Sequence, residues 1–405
     1  MKYLDAIKHI VKKSRWGSYV FSPFPKSWLY TSVYNDVIYL SRQKELGQLD
    51  IVNIALRKKM KHVLEEALLY VPWYRDNVDI DPASLTVENI YQKLEEFPYL
   101  TKQIVMNNWD NFINEKYHAD KLKTGSTEGT TGQGILIANS HQEIGMQKAF
   151  HEWWLRDIKF DYLRTRIIRI GLEALRDISL TPVQRCGNRL LVSPVHLVPE
   201  WFENIYNSCV KFVPDVIHSY PTLLYLFARY INDNGLQPIK VKGLLLTSDV
   251  FLFAHYENFN RAFGSPKIYC SYNMSEHVAL GKSIVNEEQK TISYQLDNLY
   301  AYNENLEDEF GGTSYWNEAM PFIRYKTQDF GKIDSSGFIK SLDGRGQTFL
   351  TTKKGNKISG IAILALEDYV WNYIDSLQFV QKEKGKLIIK IVPKKNYTQE
   401  VGKRI

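Results

Sequence analysis

The chain has 405 residues, 44% hydrophobic and 24% charged, which is ordinary globular usage with enough apolar residues for a sizeable core. No run of about 18 apolar residues occurs, which argues against a helical membrane span. The net charge of +6 hints at acidic partners such as nucleotides or a membrane surface and is no nucleic-acid signature. Length alone predicts roughly two to three structural units. Aromatic content of 13% favours pockets and broad packing faces over disorder. Three separated cysteines, Cys186, Cys209 and Cys270, form no CxxC pair, which argues against a disulfide framework or zinc cluster and for a reducing, cytoplasmic setting.

The start, MKYLDAIKHIVKKSRWGSYVF, lacks the apolar stretch and cleavage site of a secretory signal. Ile7, Ile10 and Val11 and then residues 51–69 follow a 3.6-residue stripe, so the first hundred residues are expected to be mainly helical. The basic face of residues 8–15 reads as a solvated helix face and could also touch anionic lipid on the inner side of a membrane. From about residue 120, strands and helices alternate. TRIIRIG (165–171), DVIHSY (215–220), VKGLLLTS (241–248) and KIYCSY (267–272) read as strands. A helix starting at Pro221 and one over 255–263 stopped by Gly264 fall between them. That alternation implies parallel crossovers in an α/β sheet. Ligands in such sheets sit at the carboxyl ends of strands, which marks Ser219 and Tyr220, Ser248 and Asp249, and Tyr272 to Glu276. A short strand-rich tail with a helical 364–371 and a strand at 386–392 ends the chain.

The densest punctuation is KLKTGSTEGTTGQGILI, residues 121–137. It fails the Walker A pattern because Gln133 follows Gly132, and it lacks the third glycine of the dinucleotide fingerprint. A phosphate-holding loop and a plain hairpin turn both remain open on composition, since glycines let backbone N–H groups converge on an anion and also make turns.

In order, STEGTTG (126–132) resembles the phosphate loop of the adenylate-forming enzymes, the acyl-CoA synthetases and their relatives, with Glu128 for a small residue and Gln133-Gly134 for Lys-Pro. YNMSE (272–276) resembles the family's Tyr-Gly-x-Thr/Ser-Glu; Asn273 replaces the glycine and tolerates a left-handed turn. MPFIRYKTQD (320–329) resembles Met-Pro-x-Ile-Arg-Tyr-x-Thr-Gly-Asp, with Gln328 at the glycine. DGR (343–345), GNKIS (355–359) and Leu366-Glu367 match the blocks around the hinge, whose Asp or Lys falls on Gln347. VPWYR (71–75), PYLTK (98–102), LVSPVHL (191–197), HSYPTLL (218–224) and Ser248-Asp249 are most similar to the phenylacetate-CoA ligase branch, including its CapK-like members in capsular polysaccharide gene clusters. These blocks are colinear from about residue 65 to the end.

The resemblance implies an α/β fold with a large adenylate-forming core of parallel and mixed sheets flanked by helices, and a small, incomplete α+β C-terminal lid. The expected divisions are a helical 1–115, a nucleotide-binding core over 116–344 and a partial lid over 345–405. It implies ATP and magnesium, with CoA as one acceptor and no zinc. Ser126, Thr127, Gly129, Thr130, Thr131 and Gly132 would grip the phosphates. Glu276 would hold magnesium and, with Thr130 and Arg345, act in catalysis. Tyr272 would lie on the adenine, with Asn273, Met274 and Ser275 beside it; Asp329 would take the ribose, with Ser248, Asp249 and Arg345 completing the nucleotide site. Trp153, His218 and Tyr220 are candidate walls of the acid pocket, each also readable as plain core packing.

The implied reaction joins a carboxylic acid to AMP with pyrophosphate release and passes the acyl group to a thiol or an amine; a homodimer is compatible with it. The sequence stops before the lid's lysine, Lys403 coming too soon after the strand at 386–392, so a truncated or naturally short, weakly adenylating form is expected. The alternative is a nucleotide-binding or scaffold member of a polysaccharide assembly that does not catalyse.

Overall fold

The computed structural model describes residues 17–118, 121–126, 135–171, 181–249, 251–307, 309–339, 344–345, 349–353, 357–359 and 373–402. The N-terminal region is helical. Helix α1 (Ser32–Glu45) is followed by α2 (Leu49–Tyr70), which buries Val52, Leu56, Met60, Val63, Leu64 and Ala67 along one stripe. It ends at Val71 because Pro72 disfavours helical backbone in the residue before it, and Val71 is extended at φ −110 and ψ 108.

Strands β1 (Lys123–Ser126) and β2 (Leu136–Asn139) pair antiparallel, with Ser126 opposite Leu136. The stretch from Thr127 to Gly134 therefore connects the two arms of a hairpin, and it lies outside the described residues. Ser140 caps α3 (His141–Trp154), its hydroxyl accepting from Gln142 N at 3.1 Å.

The following elements are β3 (Ile167–Ile170), β4 (Val183–Cys186), β5 (Arg189–Val192), α4 (Pro199–Phe212), β6 (Val216–Ser219) and α5 (Pro221–Asp233), then β7 (Gly243–Thr247), α6 (Phe253–Phe263) and β8 (Lys267–Asn273). With β9 (Leu280–Asn286), β10 (Thr291–Leu296) and β14 (Phe338–Ile339) they form a nine-stranded sheet in the order β14-β10-β9-β8-β7-β6-β3-β5-β4. Strands β5, β3, β6, β7 and β8 run parallel, and the outer strands are antiparallel. All five residues of β7 (GLLLT) are buried, as a central parallel strand covered on both faces requires. Gly264, at φ +74, closes α6 in a left-handed turn that a side chain would strain. The expected mixed α/β fold with its parallel crossovers is what the chain adopts.

A second sheet, β11 (Ala301–Leu306), β12 (Glu309–Ser314), β13 (Tyr325–Phe330) and β15 (Gly344–Arg345), is antiparallel throughout. Two small hairpins follow, β16 (Phe349–Thr351) with β17 (Lys357–Ser359) and β18 (Ile374–Glu383) with β19 (Lys386–Pro393), consistent with a small lid. The helix expected over 364–371 and the hinge position Gln347 lie outside the described residues, as does Lys403. No helix among the described residues is long and apolar enough to cross a membrane.

Candidate active site

Three blocks far apart in sequence meet beyond the carboxyl end of β8. The Tyr272 hydroxyl donates to Asp329 Oδ2 at 2.6 Å, and the Tyr325 hydroxyl donates to Glu276 Oε1 at 3.1 Å. Tyr272 and Glu276 belong to the end of the large sheet, while Tyr325 and Asp329 lie on β13 of the second sheet, so the two tyrosines join the sheets at this corner. Both carboxylates are buried, each 7% exposed. Asp329 is opposite Arg345 in the β13–β15 pairing, which brings β15 beside it.

Supporting contacts hold the corner rigid. Tyr74, from the VPWYR block, is fully buried; its hydroxyl donates to the Pro321 carbonyl and accepts from Ile323 N, both at 3.0 Å. From the PYLTK block, Leu100 N donates to the Arg324 carbonyl at 3.1 Å and the Leu100 carbonyl accepts from Lys326 N at 2.9 Å. Arg324 itself is a clamp. It makes a two-point pair with Glu304 at 2.9 and 2.7 Å and donates to the carbonyls of Glu95 and Phe97 at 2.6 and 3.0 Å.

Gln328 explains the glycine of the resembled motif. Its φ is +60, a left-handed conformation in which a side chain costs about 1–2 kcal/mol, and its N–H donates to Glu309 Oε2 at 2.7 Å. The expected left-handed turn at Asn273 is corrected. Asn273 is the last residue of β8, paired with Leu280 as extended backbone, and the positive φ falls four residues later on His277, at +61.

His277 is the residue that sequence reasoning missed. It is 3% exposed, and its Nε2 lies 2.6 Å from Asn139 Oδ1, which can only accept, so the ring proton belongs there. Nδ1 then accepts from the Tyr300 hydroxyl at 2.9 Å and Gln147 Nε2 at 3.2 Å. Burial lowers the imidazole to about 4. One side chain thus ties the turn of Glu276 to the end of β2, the outgoing arm of the glycine hairpin, and to α3. No local signal marks it, because its partners are 138, 23 and 130 residues away.

The other expected residues are spread over several places. Thr127, Gly129, Thr130, Thr131 and Gly132 lie outside the described residues, and of Ser126 and Arg345 only the strand positions are described. Ser248, at φ +67, and Ser275 are exposed, while Met274 is 5% exposed in the core. Asp249 accepts from Thr222 N at 3.3 Å and from the Thr222 hydroxyl, so it fastens the end of β7 to the first turn of α5. His218 and Tyr220 lie together at the end of β6. Trp153 does not join them. It stacks on Arg156 at 4.2 Å and lines a cleft of about 390 Å³ with Tyr34, Ile38 and Asp161, because it is two residues along α3 from His151 and so on the other side of the helix.

The donor chemistry fits a magnesium–nucleotide complex. Magnesium is usually held by one or two carboxylates together with substrate phosphates, and Glu276 is one buried carboxylate, next in sequence to the His277 that bonds the end of β2. Among the described residues no group of three or more His, Cys, Asp or Glu side chains forms a separate metal cluster.

No family model matches the chain. Among curated proteins it is similar to Protein CapK of Staphylococcus aureus, 21% identical over 387 residues, covering 90% of this chain and 82% of that one. Among solved structures it is similar to 2-hydroxyisobutyryl-CoA ligase in the postadenylation state in complex with R3-HIB-AMP, with a TM-score of 0.64, 12% identity and coverage of 88% of this chain and 82% of that one. An open conformation of that ligase in complex with 2-HIB-AMP and CoA gives a TM-score of 0.53 at 12% identity over 85% of each chain. The chain has the fold of the adenylate-forming acyl-CoA ligases.

Proposed function

We propose that the protein activates a carboxylic acid with ATP and transfers the acyl group to an acceptor thiol or amine, CoA being the first candidate thiol. The observation that carries this is the convergence of Tyr272, Glu276 and Asp329 at one corner, 2.6 Å and 3.1 Å hydrogen bonds joining two sheets of the right fold. The substrate carboxylate and the α-phosphate are both anionic, so their union needs alignment and charge neutralisation more than proton transfer. A carboxylate oxygen attacks the α-phosphorus, the bond from that phosphorus to the bridging oxygen breaks, and pyrophosphate leaves with the electron pair.

In this reading Asp329 accepts from the ribose hydroxyls, one carboxylate being able to take both, while Tyr272 holds that carboxylate and offers its ring to the adenine. Glu276, oriented by Tyr325, would hold magnesium, which when bound supplies positive charge to the phosphates. The segment of residues 126–132, which joins β1 to β2, would grip the β- and γ-phosphates, with Thr130 among its donors, and Arg345 would approach from β15. A role in polysaccharide assembly, as implied by the resemblance to the CapK-like branch, is part of this reading, and the likeness to Protein CapK is compatible with it. Pyrophosphate release with ATP, magnesium and a panel of acids tests the proposal. Turnover that depends on Glu276 supports it; no turnover with any acid, and identical behaviour of Glu276→Ala, would sink it.

A further inference from the structure

The two faces of the large sheet differ in where they stop being apolar. Ile168 and Ile170 of β3, Ile217 of β6 and Leu244 and Leu246 of β7 project into one apolar core under α4, α5 and α6. Side chains alternate along a strand, so the residues between them face α3. On that face the row nearer the start of the strands is apolar, with Ile167 opposite Val216. Two residues on, the same face carries Arg169 opposite His218, with Leu245 beside them. One further step brings Thr247 opposite Ser271, directly before Tyr272. The core facing α3 therefore turns polar toward the carboxyl ends of the strands, the end at which the nucleotide corner lies.

Two polar atoms in this zone are buried without a partner among the described residues. His151 Nε2, on α3, has none, although its Nδ1 is 2.7 Å from the Tyr162 hydroxyl; the residue is 7% exposed. The Ser271 hydroxyl has none either, at 4% exposed. An unsatisfied buried polar atom costs about 1–3 kcal/mol, so two in one zone ask for an occupant that bonds them. His151 is one turn of α3 beyond Gln147, which reaches His277 beside Glu276. Burial, and after it the positive charge of Arg169 and Arg189 with the neighbouring His151, push the His218 imidazole well below its ordinary value. His218 nevertheless keeps part of its surface open.

Resting on the acid-activating reading, we propose that the acid is hydrophilic: beyond the reacting carboxylate it carries hydroxyl groups or a second carboxylate, bonded by His151, His218 and Ser271, in place of an aryl or alkyl chain. An apolar acyl group would leave these atoms unbonded, and sites built to hydrogen-bond a substrate strongly reject analogues that lack the group.

The experiment measures pyrophosphate release with D-glucuronate and glycerate (hydroxylated), succinate (second carboxylate), phenylacetate and octanoate, alongside binding of a fluorescent ATP analogue. At least one polar acid should exceed both apolar acids in kcat/KM by about tenfold or more. Whether the hydroxylated acids or succinate lead identifies the second group. His218→Leu, or Ser271→Ala should the first variant fail to fold, should erase much of that preference while the ATP analogue binds as before. Phenylacetate or octanoate turning over as well as the polar acids would overturn this inference and leave acid activation standing. Binding of the ATP analogue with no turnover of any acid would overturn the acid-activating reading and this inference with it.

Discussion

The two faces of the nine-stranded sheet are made from alternate residues of the same strands, yet one is a support and the other a wall. Ile168, Ile170, Ile217, Leu244 and Leu246 are each fully buried in a continuous apolar layer, where each side chain contributes by area removed from water. The opposite face starts in the same manner with Ile167 and Val216 and then presents Arg169, His218, Thr247 and Ser271. A strand such as VIHS serves both purposes at once: Ile217 anchors it, and His218 looks toward α3 with part of its surface open.

Substitutions should separate the two faces and the corner they lead to. Glu276→Gln should lower kcat for adenylation by about 100-fold or more, as removal of a transition-state charge partner does, with little change in melting temperature. Ile217→Ala, on the supporting face, should cost about 2–5 kcal/mol of stability, seen as a lowered melting temperature, without changing the order of preference among acids.

Acid should distinguish the faces less sharply, because both hold neutral histidines. Burial lowers His151, His255 and His277 to about 4 and His218 well below its ordinary value, against about 6.5 in the unfolded chain. The unfolded state therefore takes up these protons first, and stability present above pH 6.5 is lost as pH falls toward 4. The slope reaches about 5 kcal/mol per pH unit for four such groups. Glu143, which burial pushes up, works the other way for one proton. Denaturant midpoints between pH 7 and 5 measure the sum, and His255→Phe should flatten it.

His277→Gly keeps the left-handed turn and removes the bonds to Asn139, Tyr300 and Gln147, so it isolates the tie from the backbone. It should raise the magnesium concentration needed for half-maximal turnover and weaken manganese binding measured by calorimetry, while His277→Asn restores part of both. The smallest effect is expected at Gln328→Gly, which relieves a left-handed side chain and should stabilise the fold by about 1 kcal/mol, visible as a higher melting temperature.

Much of the large sheet was legible because its central strands are short, apolar and bounded by glycine and proline, as GLLLT and the helix beginning at Pro221 show. The meander from β9 to β12 was not: strands such as AYNENL and EFGGTS alternate too weakly to declare a face. The corner of Tyr272, Glu276 and Asp329 could be anticipated as a set from block order, whereas His277 and Ser271 could not, since what makes them notable is a partner, or a missing one, set by tertiary packing. Which residues of α3 face the sheet is not legible for the same reason. Only the rotation of α3 decides which of two neighbouring aromatic residues faces the sheet, and His151 takes that side.

The nucleotide is expected at the Tyr272–Glu276–Asp329 corner. Calorimetric binding of a non-hydrolysable acyl-sulfamoyl adenosine to the unaltered chain and to Asp329→Ala tests it most directly. Binding should be saturable and weaken by about tenfold or more when the buried carboxylate is removed, a charge-assisted pair being worth about 1.5–3 kcal/mol. Equal affinity for both proteins, with both folded, would contradict it.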